Sequence, residues 1–165
     1  MKSIETNNFQ FLSFNQNNIK HQELIELMED DPLICRYLGS MKRHFETIDF
    51  ADDISGHYLA FNKDDFVGFI TLYDYAKYQG LDWAVIKDYR GIRLNDSTYA
   101  TLMIKEVTDE LFLRRRELEY FRAYIDRNNI RSIKMAQKAG FVLKERYSPI
   151  PHDSYVKERE NTIIK

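Results

Sequence analysis

Two runs rich in aromatic and β-branched residues, 57–62 and 66–73, flank the polar triplet Lys63-Asp64-Asp65. A short polar turn between two such runs is the signature of a β-hairpin, so the first half of the chain is committed to antiparallel sheet. The apolar run 81–86 predicts a third strand beside them. Upstream, weak alternation over 9–14 predicts a first strand, and Leu24, Ile25, Leu27 and Met28 give residues 19–28 one helical face. Asp31-Pro32 is a helix-start signal and predicts a second helical region to about residue 48.

Beyond the third of these strands the pattern changes. A turn over 87–96 leads to a helix predicted from about Ser97, in which Tyr99, Met103, Val107 and Leu111 recur every four residues. Residues 118–125 read as strand and 129–139 as a short helix that Gly140 ends. Strands are predicted over 141–146 and 154–165. The order is then strand, two helices, three strands, helix, strand, helix, strand, strand. Hairpin-joined strands followed by strands connected through helices imply an α/β mixed sheet with helices on both faces.

Residues 1–165 suffice for one well-buried core and read as a single domain. With 44% apolar and 30% charged residues the chain has the balance of a globular protein. No apolar run nears the roughly 20 residues of a membrane helix, and the opening residues lack the apolar core of a signal peptide. A cytoplasmic protein with no membrane partner is expected. A net charge of −2 without a clustered basic face argues against nucleic acid; Arg114-Arg115-Arg116 reads as the cationic end of a helix. The lone Cys35 excludes an internal disulfide and a cysteine-rich metal site, and reads as a buried structural thiol. His21, His44, His57 and His152 show no metal-ligand spacing, so no metal is expected. His57 and His152 read as structural or exposed. Tyr73, Tyr75, Tyr78, Tyr120 and Tyr124 read as strand or loop packing, with Tyr124 a candidate cofactor-facing residue.

The turn Lys87-Asp88-Tyr89-Arg90-Gly91-Ile92-Arg93-Leu94-Asn95 joins a strand to a helix N-terminus. Such a turn aims backbone N–H groups and the positive end of a helix dipole at one point, which suits a phosphate. Tyr89-Arg90-Gly91 is followed by Asn129-Ile130-Arg131-Ser132 and Lys138-Ala139-Gly140-Phe141. Together these resemble the GNAT superfamily of acyl-CoA-dependent N-acyltransferases, over most of the chain from about Phe9 to Val156. Phe66-Val67-Gly68-Phe69-Ile70 and Asp153 fit as well, and the Asn-x-x-Ser helix most resembles the ribosomal-protein-alanine acetyltransferase-like branch.

The resemblance implies a mostly antiparallel sheet with one splayed parallel pair, and acetyl-CoA (coenzyme A) as acyl donor. It implies that Arg90, Gly91, Ile92, Arg93, Leu94 and Asn95 cradle the pyrophosphate, and that the pantetheine arm lies along Trp83, Ala84, Val85 and Ile86. Asn129 and Ser132 are expected near the thioester, with Asn129 also capping its helix. Backbone N–H near Ala84 or Val85 is expected to polarise the carbonyl. Ser132 is the candidate proton donor to sulfur, and Asp82 the candidate base, although an acid on an alternating strand ordinarily reads as a surface carboxylate. His152 is placed either at the mouth of the acceptor site or in a structural role. The partner implied is an amine-bearing acceptor, with a homodimer possible for the family.

Two departures bear on activity. Arg93 and Asn95 stand where the family's turn carries glycine, although asparagine tolerates a left-handed backbone, and Arg93 can contact phosphate. Asp96 beside them is unfavourable for an anion. Ala136 stands where many members place a tyrosine that protonates the departing thiolate. The expectation is an N-acetyltransferase acting on a primary amine in a ternary complex. The alternative is a degenerate, non-catalytic GNAT domain that serves as a CoA-binding or regulatory module.

Overall fold

The computed structural model describes residues 3–46, 54–75 and 77–159. In chain order these form β1 (Ser3–Glu5), β2 (Gln10–Ser13), α1 (Ile19–Glu29), α2 (Pro32–Leu38), α3 (Met41–Glu46), β3 (Gly56–Asn62), β4 (Asp65–Tyr75) and β5 (Tyr78–Val85). A 3-10 turn at Lys87–Tyr89 then precedes β6 (Arg93–Leu94), β7 (Ser97–Thr98), α4 (Tyr99–Arg114), β8 (Tyr120–Asp126), α5 (Ile130–Lys138), β9 (Val142–Arg146) and β10 (His152–Glu158). Eight strands make one sheet in the order β1-β2-β3-β4-β5-β8-β10-β9, and β6 and β7 form a small hairpin of their own.

Alternation along β5 divides the core. Leu81, Trp83 and Val85 face α4 and α5, where Met103, Ile104, Val107, Leu111 and Ala136 meet Phe121 and Phe141. Ala84 and Ile86 face the other way, with Leu59 and Phe69, against Ile25, Met28, Ile34, Met41 and Phe45 of α1, α2 and α3. Each helix covers the sheet with its apolar stripe, the arrangement that buries both faces of a mixed sheet.

The α/β sheet with helices on both faces is as the sequence implied, and several boundaries move. The helical region after Pro32 breaks at Gly39, whose φ of +77° ends α2 before α3 begins; residues 47–48 lie outside those described. β4 and β5 run on to Tyr75 and back from Tyr78, so the hairpin is longer than its apolar segments. The last strand begins earlier, at His152, and the expected residues 160–165 lie outside those described.

The eight strands make seven pairings, six of them antiparallel and one parallel. β5 and β8 run parallel and pair only at Tyr78 with Tyr120, Gln79 with Phe121 and Gly80 with Arg122. Past Gly80 the two strands diverge, while β5 stays paired to β4 as far as Val85 and β8 to β10 as far as Asp126. A gap therefore opens inside the sheet.

Gly68 keeps β5 on the β4 side of that gap. A Cβ built there would lie 2.0 Å from the Ala84 carbonyl oxygen and 2.9 Å from Val85 Cα, both backbone. Gly68→Ala must push β5 aside, and overpacking of this kind costs about 1–3 kcal/mol. Urea unfolding is expected to show that loss; an unchanged midpoint would mean that β5 shifts freely.

Candidate active site

The gap exposes backbone that an intact sheet would pair. The Ile86 amide donates to Val67 O at 2.9 Å, and the β4–β5 register is unbroken back to Tyr78. Alternation of an antiparallel ladder then turns Ala84's N–H and C=O toward β4, and those of Trp83 and Val85 toward the gap. Val85's carbonyl is taken by Arg90 Nε at 2.9 Å. What remains, among the described residues, is a short free edge, Trp83 N–H and C=O followed by Val85 N–H. Trp83 also buries its indole Nε1 with no hydrogen-bond acceptor. Such an edge suits an extended chain carrying its own amides, which can pair with it as an added strand. Of the two amides expected to polarise a carbonyl, only Val85's faces the gap.

The turn that follows is held from below. Arg90 donates to Val85 O and to Asp31 Oδ2, the latter at 2.5 Å. Asp31 is also the N-cap of α2, where its Oδ1 accepts from the Leu33 amide at 3.0 Å. Burial alone would raise the Asp31 carboxyl, but Arg90 and the capped amides together hold it below the usual range. Arg90 thus fixes the turn to α2 with its side chain, in place of offering that side chain to a ligand. Gly91, at φ +75°, makes the bend.

Residues 93–98, expected to lead straight into the helix, form the β6–β7 hairpin, with Asn95 at φ +56° as its left-handed turn residue. The helix starts two residues later, at Tyr99, because Thr98 caps it and Thr98 Oγ1 accepts from the Thr101 amide at 3.4 Å. Arg93 turns back on Asp96 O, and Ile92 O accepts from the Tyr99 amide. The hairpin replaces the glycines of a compact phosphate turn. What it leaves toward solvent are the bend at Gly91 and Ile92, the half-buried Leu94 and the remaining donors of Arg93.

On the α2–α3 face the gap widens into a cleft of about 600 Å³. Asp82 stands on its floor, half-buried and accepting from Tyr73 Oη at 2.9 Å. It is not the surface carboxylate expected of an alternating strand, because α3 and the β9–β10 loop cover that face. Burial pushes the Asp82 carboxyl up, and the Tyr73 hydroxyl, His44 and His152 oppose this in part. Burial lowers His44 in turn, with Asp82 opposing. His44 Nε2 lies 3.1 Å from Thr71 Oγ1, and His57 Nδ1 lies 2.9 Å from the same oxygen. His57 is buried and pushed down to about 3, first by burial and then by His44, so it stays neutral. His152 lines the cleft, as do Tyr37, Tyr124 and Tyr147. Sequence reasoning missed His44, Tyr73 and Arg122. The signal for Tyr73 lay in the hairpin register, which sets Thr71 opposite Asp82.

Across the gap, Asn129 caps α5 as expected, its Oδ1 accepting from the Ser132 amide at 3.2 Å. Ser132 is half-buried in the first turn of α5 and is not among the residues lining the cleft. Arg127 anchors this turn to β10 through Asp153, at 2.7 Å, and to Tyr147 O and Ile150 O. Cys35 is half-buried rather than buried, with Sγ 3.2 Å from Glu29 O, and lies outside the cleft. Among the described residues no group of histidine, cysteine and carboxylates is set to hold a metal ion, and no helix is long and apolar enough to cross a membrane.

A family model described as an acetyltransferase (GNAT) domain matches residues 17–142. The chain belongs to the GNAT acetyltransferase family. No curated protein matches it in sequence. Among solved structures, the GNAT-family acetyltransferase from Bacillus anthracis is 13% identical over 94% of this chain and 96% of that one, with a TM-score of 0.70. The aminoglycoside acetyltransferase AAC(6′)-Ib, in complex with coenzyme A and kanamycin, is 14% identical over 92% and 94%, with a TM-score of 0.68. The N-acetyltransferase PseH of Campylobacter jejuni is 15% identical over 92% and 98%, with a TM-score of 0.62. At such identities the likeness is one of fold, and this GNAT enzyme's own site has to be argued from its residues.

Asp31→Ala removes both a cap and the partner of a half-buried guanidinium, a loss of about 2–3 kcal/mol. Because the folded carboxyl is lowered, its stabilisation is complete above the unfolded value near 3.9 and fades as pH falls through the folded one. Urea unfolding at pH 7 is expected to separate the variant from the wild type, and at pH 3 the difference shrinks. An equal gap at both pH values would rule out the ion pair as its source.

Proposed function

We propose that the protein transfers the acetyl group of acetyl-CoA to a primary amine by direct attack within a ternary complex. The observation that carries this reading is the junction of the β5–β8 gap with a cleft that has Asp82 on its floor. Two substrates entering from opposite sides of the sheet meet there, and holding both in place is itself a large part of catalysis.

The free edge at Trp83 and Val85 fits the amide-bearing arm of the acyl donor, and the exposed bend at Gly91 and Ile92, with Arg93, fits its phosphates. Acetyl-CoA is the acyl donor. Asp82 takes the proton of the acceptor amine, a role suited to a carboxylate raised by burial. The amine nitrogen bonds to the acetyl carbon as the carbon–sulfur bond breaks. Val85 N–H donates to the carbonyl oxygen as charge develops on it. The proton for the departing sulfur comes from a hydroxyl on the α5 side of the gap: Ser132, as the sequence indicates, or Tyr124, whose ring lines the cleft from β8. Among the described residues no cysteine, serine, threonine or lysine lines the cleft, which favours direct attack over an acyl-enzyme.

A non-catalytic module is the second reading, favoured by one observation: Arg90 and Arg93 both spend hydrogen bonds inside the protein. In that case acetyl-CoA binds weakly or not at all and coenzyme A is never released.

Coenzyme A release by the wild type separates the two, and Asp82→Asn tests the base. For the wild type, kcat/KM is expected to rise with pH through the folded Asp82 value, which lies above the ordinary carboxylate range. The variant loses that limb and about 10²-fold or more in kcat. A raised folded value also means that ionised Asp82 costs stability as pH rises, so the variant melts higher than the wild type at pH 8 and not at pH 4. Undiminished transfer by the variant would remove Asp82 from the mechanism.

A further inference from the structure

Among the described residues Arg122 is the one guanidinium that lines the cleft. It stands on β8 opposite Gly80, the last paired position before the strands part. Its Cζ lies 5.1 Å from the Tyr78 ring centroid and 5.6 Å from that of Tyr120. Those two rings stack 4.9 Å apart, nearly parallel. Nη1 donates to Tyr124 Oη at 3.4 Å, and Nε is buried without an acceptor. Among the described residues Arg122 has no carboxylate within ion-pair distance. Arg90 and Arg127, by contrast, each hold an aspartate.

Arg122 is half-buried, and among the described residues ring faces and a phenol surround its guanidinium, leaving it able to take an anionic partner. Its planar fork is preorganised for a carboxylate or phosphate oxygen pair. Gly80 lies between Arg122 and Asp82 and all three line the cleft, with the side chains of Tyr73 and Tyr75 packed over Gly80 in the place a Cβ would take. Asp82 lies two residues beyond Gly80 on the same face of the sheet. At strand spacing this sets the Asp82 and Arg122 backbones about 8 Å apart. The cleft therefore has two poles, a carboxylate where the gap opens and a cation on the far side of Gly80. Among the described residues Asp82 is the one carboxylate that lines the cleft.

We propose that Arg122 is an anion-binding subsite, and that the acceptor is a small amine carrying a carboxylate or phosphate several ångströms from its nitrogen. This rests on the transferase reading above, with the amine delivered at Asp82 and the anion held at Arg122. Acceptor length is then selected by the span between the poles, and matched diamines are poor substrates.

The test uses ω-amino carboxylates with about three to about seven methylenes, together with matched ω-aminoalkyl phosphates, amino alcohols and diamines. Binding is read as thermal stabilisation of the full chain, with and without coenzyme A; transfer is read as coenzyme A thiol release from acetyl-CoA. The anionic amines are expected to stabilise the wild type best at one length, and the carboxylate and phosphate series show which oxygen group fits. Arg122→Gln is expected to lose at least about tenfold in kcat/KM for them, carried by KM, as befits a charge-assisted contact. Its kcat/KM for amino alcohols stays within about twofold. Arg122→Lys keeps the charge and recovers part of the preference, which a merely structural role would not do, and unchanged melting of the unliganded variants checks that they fold. Anion-dependent stabilisation without thiol release would overturn the transferase reading and leave the subsite standing. Equal stabilisation or turnover with diamines and amino alcohols, an equal loss on all amines in Arg122→Gln, or no stabilisation by any anionic amine would overturn the subsite.

Discussion

The parting of β5 from β8 is the constraint from which the rest of the architecture follows. A sheet that opens in its interior leaves N–H and C=O groups unpaired in a place sheltered from bulk water, a condition that native structures rarely leave unanswered. Each half holds its line for its own reason. β5 is fixed along its length by β4, whose Gly68 lets the two backbones approach, and β8 is fixed by seven register pairs with β10. Within the sheet the halves meet along the short parallel contact at Gly80 and its neighbours, continued by the Glu119 amide on Lys77 O. The protein answers part of the gap itself, Arg90 taking the Val85 carbonyl, and the rest of the β5 edge stays open toward the gap.

The two rims of this opening differ in kind. On the turn side, cationic side chains are tied down: Arg90 to Asp31 and Arg93 to Asp96 O. On the cleft side burial sets the electrostatics, raising Asp82 and lowering His44 and His57, so that the uncharged forms are favoured together. Thr71 Oγ1 meets both imidazoles and Tyr73 donates to Asp82, which makes the surroundings of Asp82 well defined. A carboxylate kept basic in a fixed setting is what proton removal from an amine requires.

Much of this could be read from the chain. The Lys63-Asp64-Asp65 hairpin, the fourfold stripe of α4, the cap at Asn129 and the break at Gly140 are local devices, and local physics places them. Asn95 adopts the left-handed backbone for which its tolerance had suggested it. Other features depend on partners distant in sequence. Asp82 looked like a surface acid because alternation gives the face of a residue and says nothing of what covers that face. Tyr73 and Arg122 were hidden by register: Asp74, Gln79 and Gly80 dilute the apolar pattern at the ends of β4 and β5, so the strands read short and the pairing across them was lost. The extra hairpin at 93–98 was illegible because its two strands are only two residues each, too brief for any periodicity to register.

The free edge of β5 can be examined directly by amide hydrogen exchange, resolved residue by residue with and without saturating acetyl-CoA. Slowed exchange is expected at Trp83 and Val85, whose N–H groups face the gap, and little change at Ala84, which is already paired to β4. Acetyl-CoA that binds while leaving Trp83 and Val85 unprotected would contradict the central claim, that the divergence of β5 and β8 is the seat of the acyl donor.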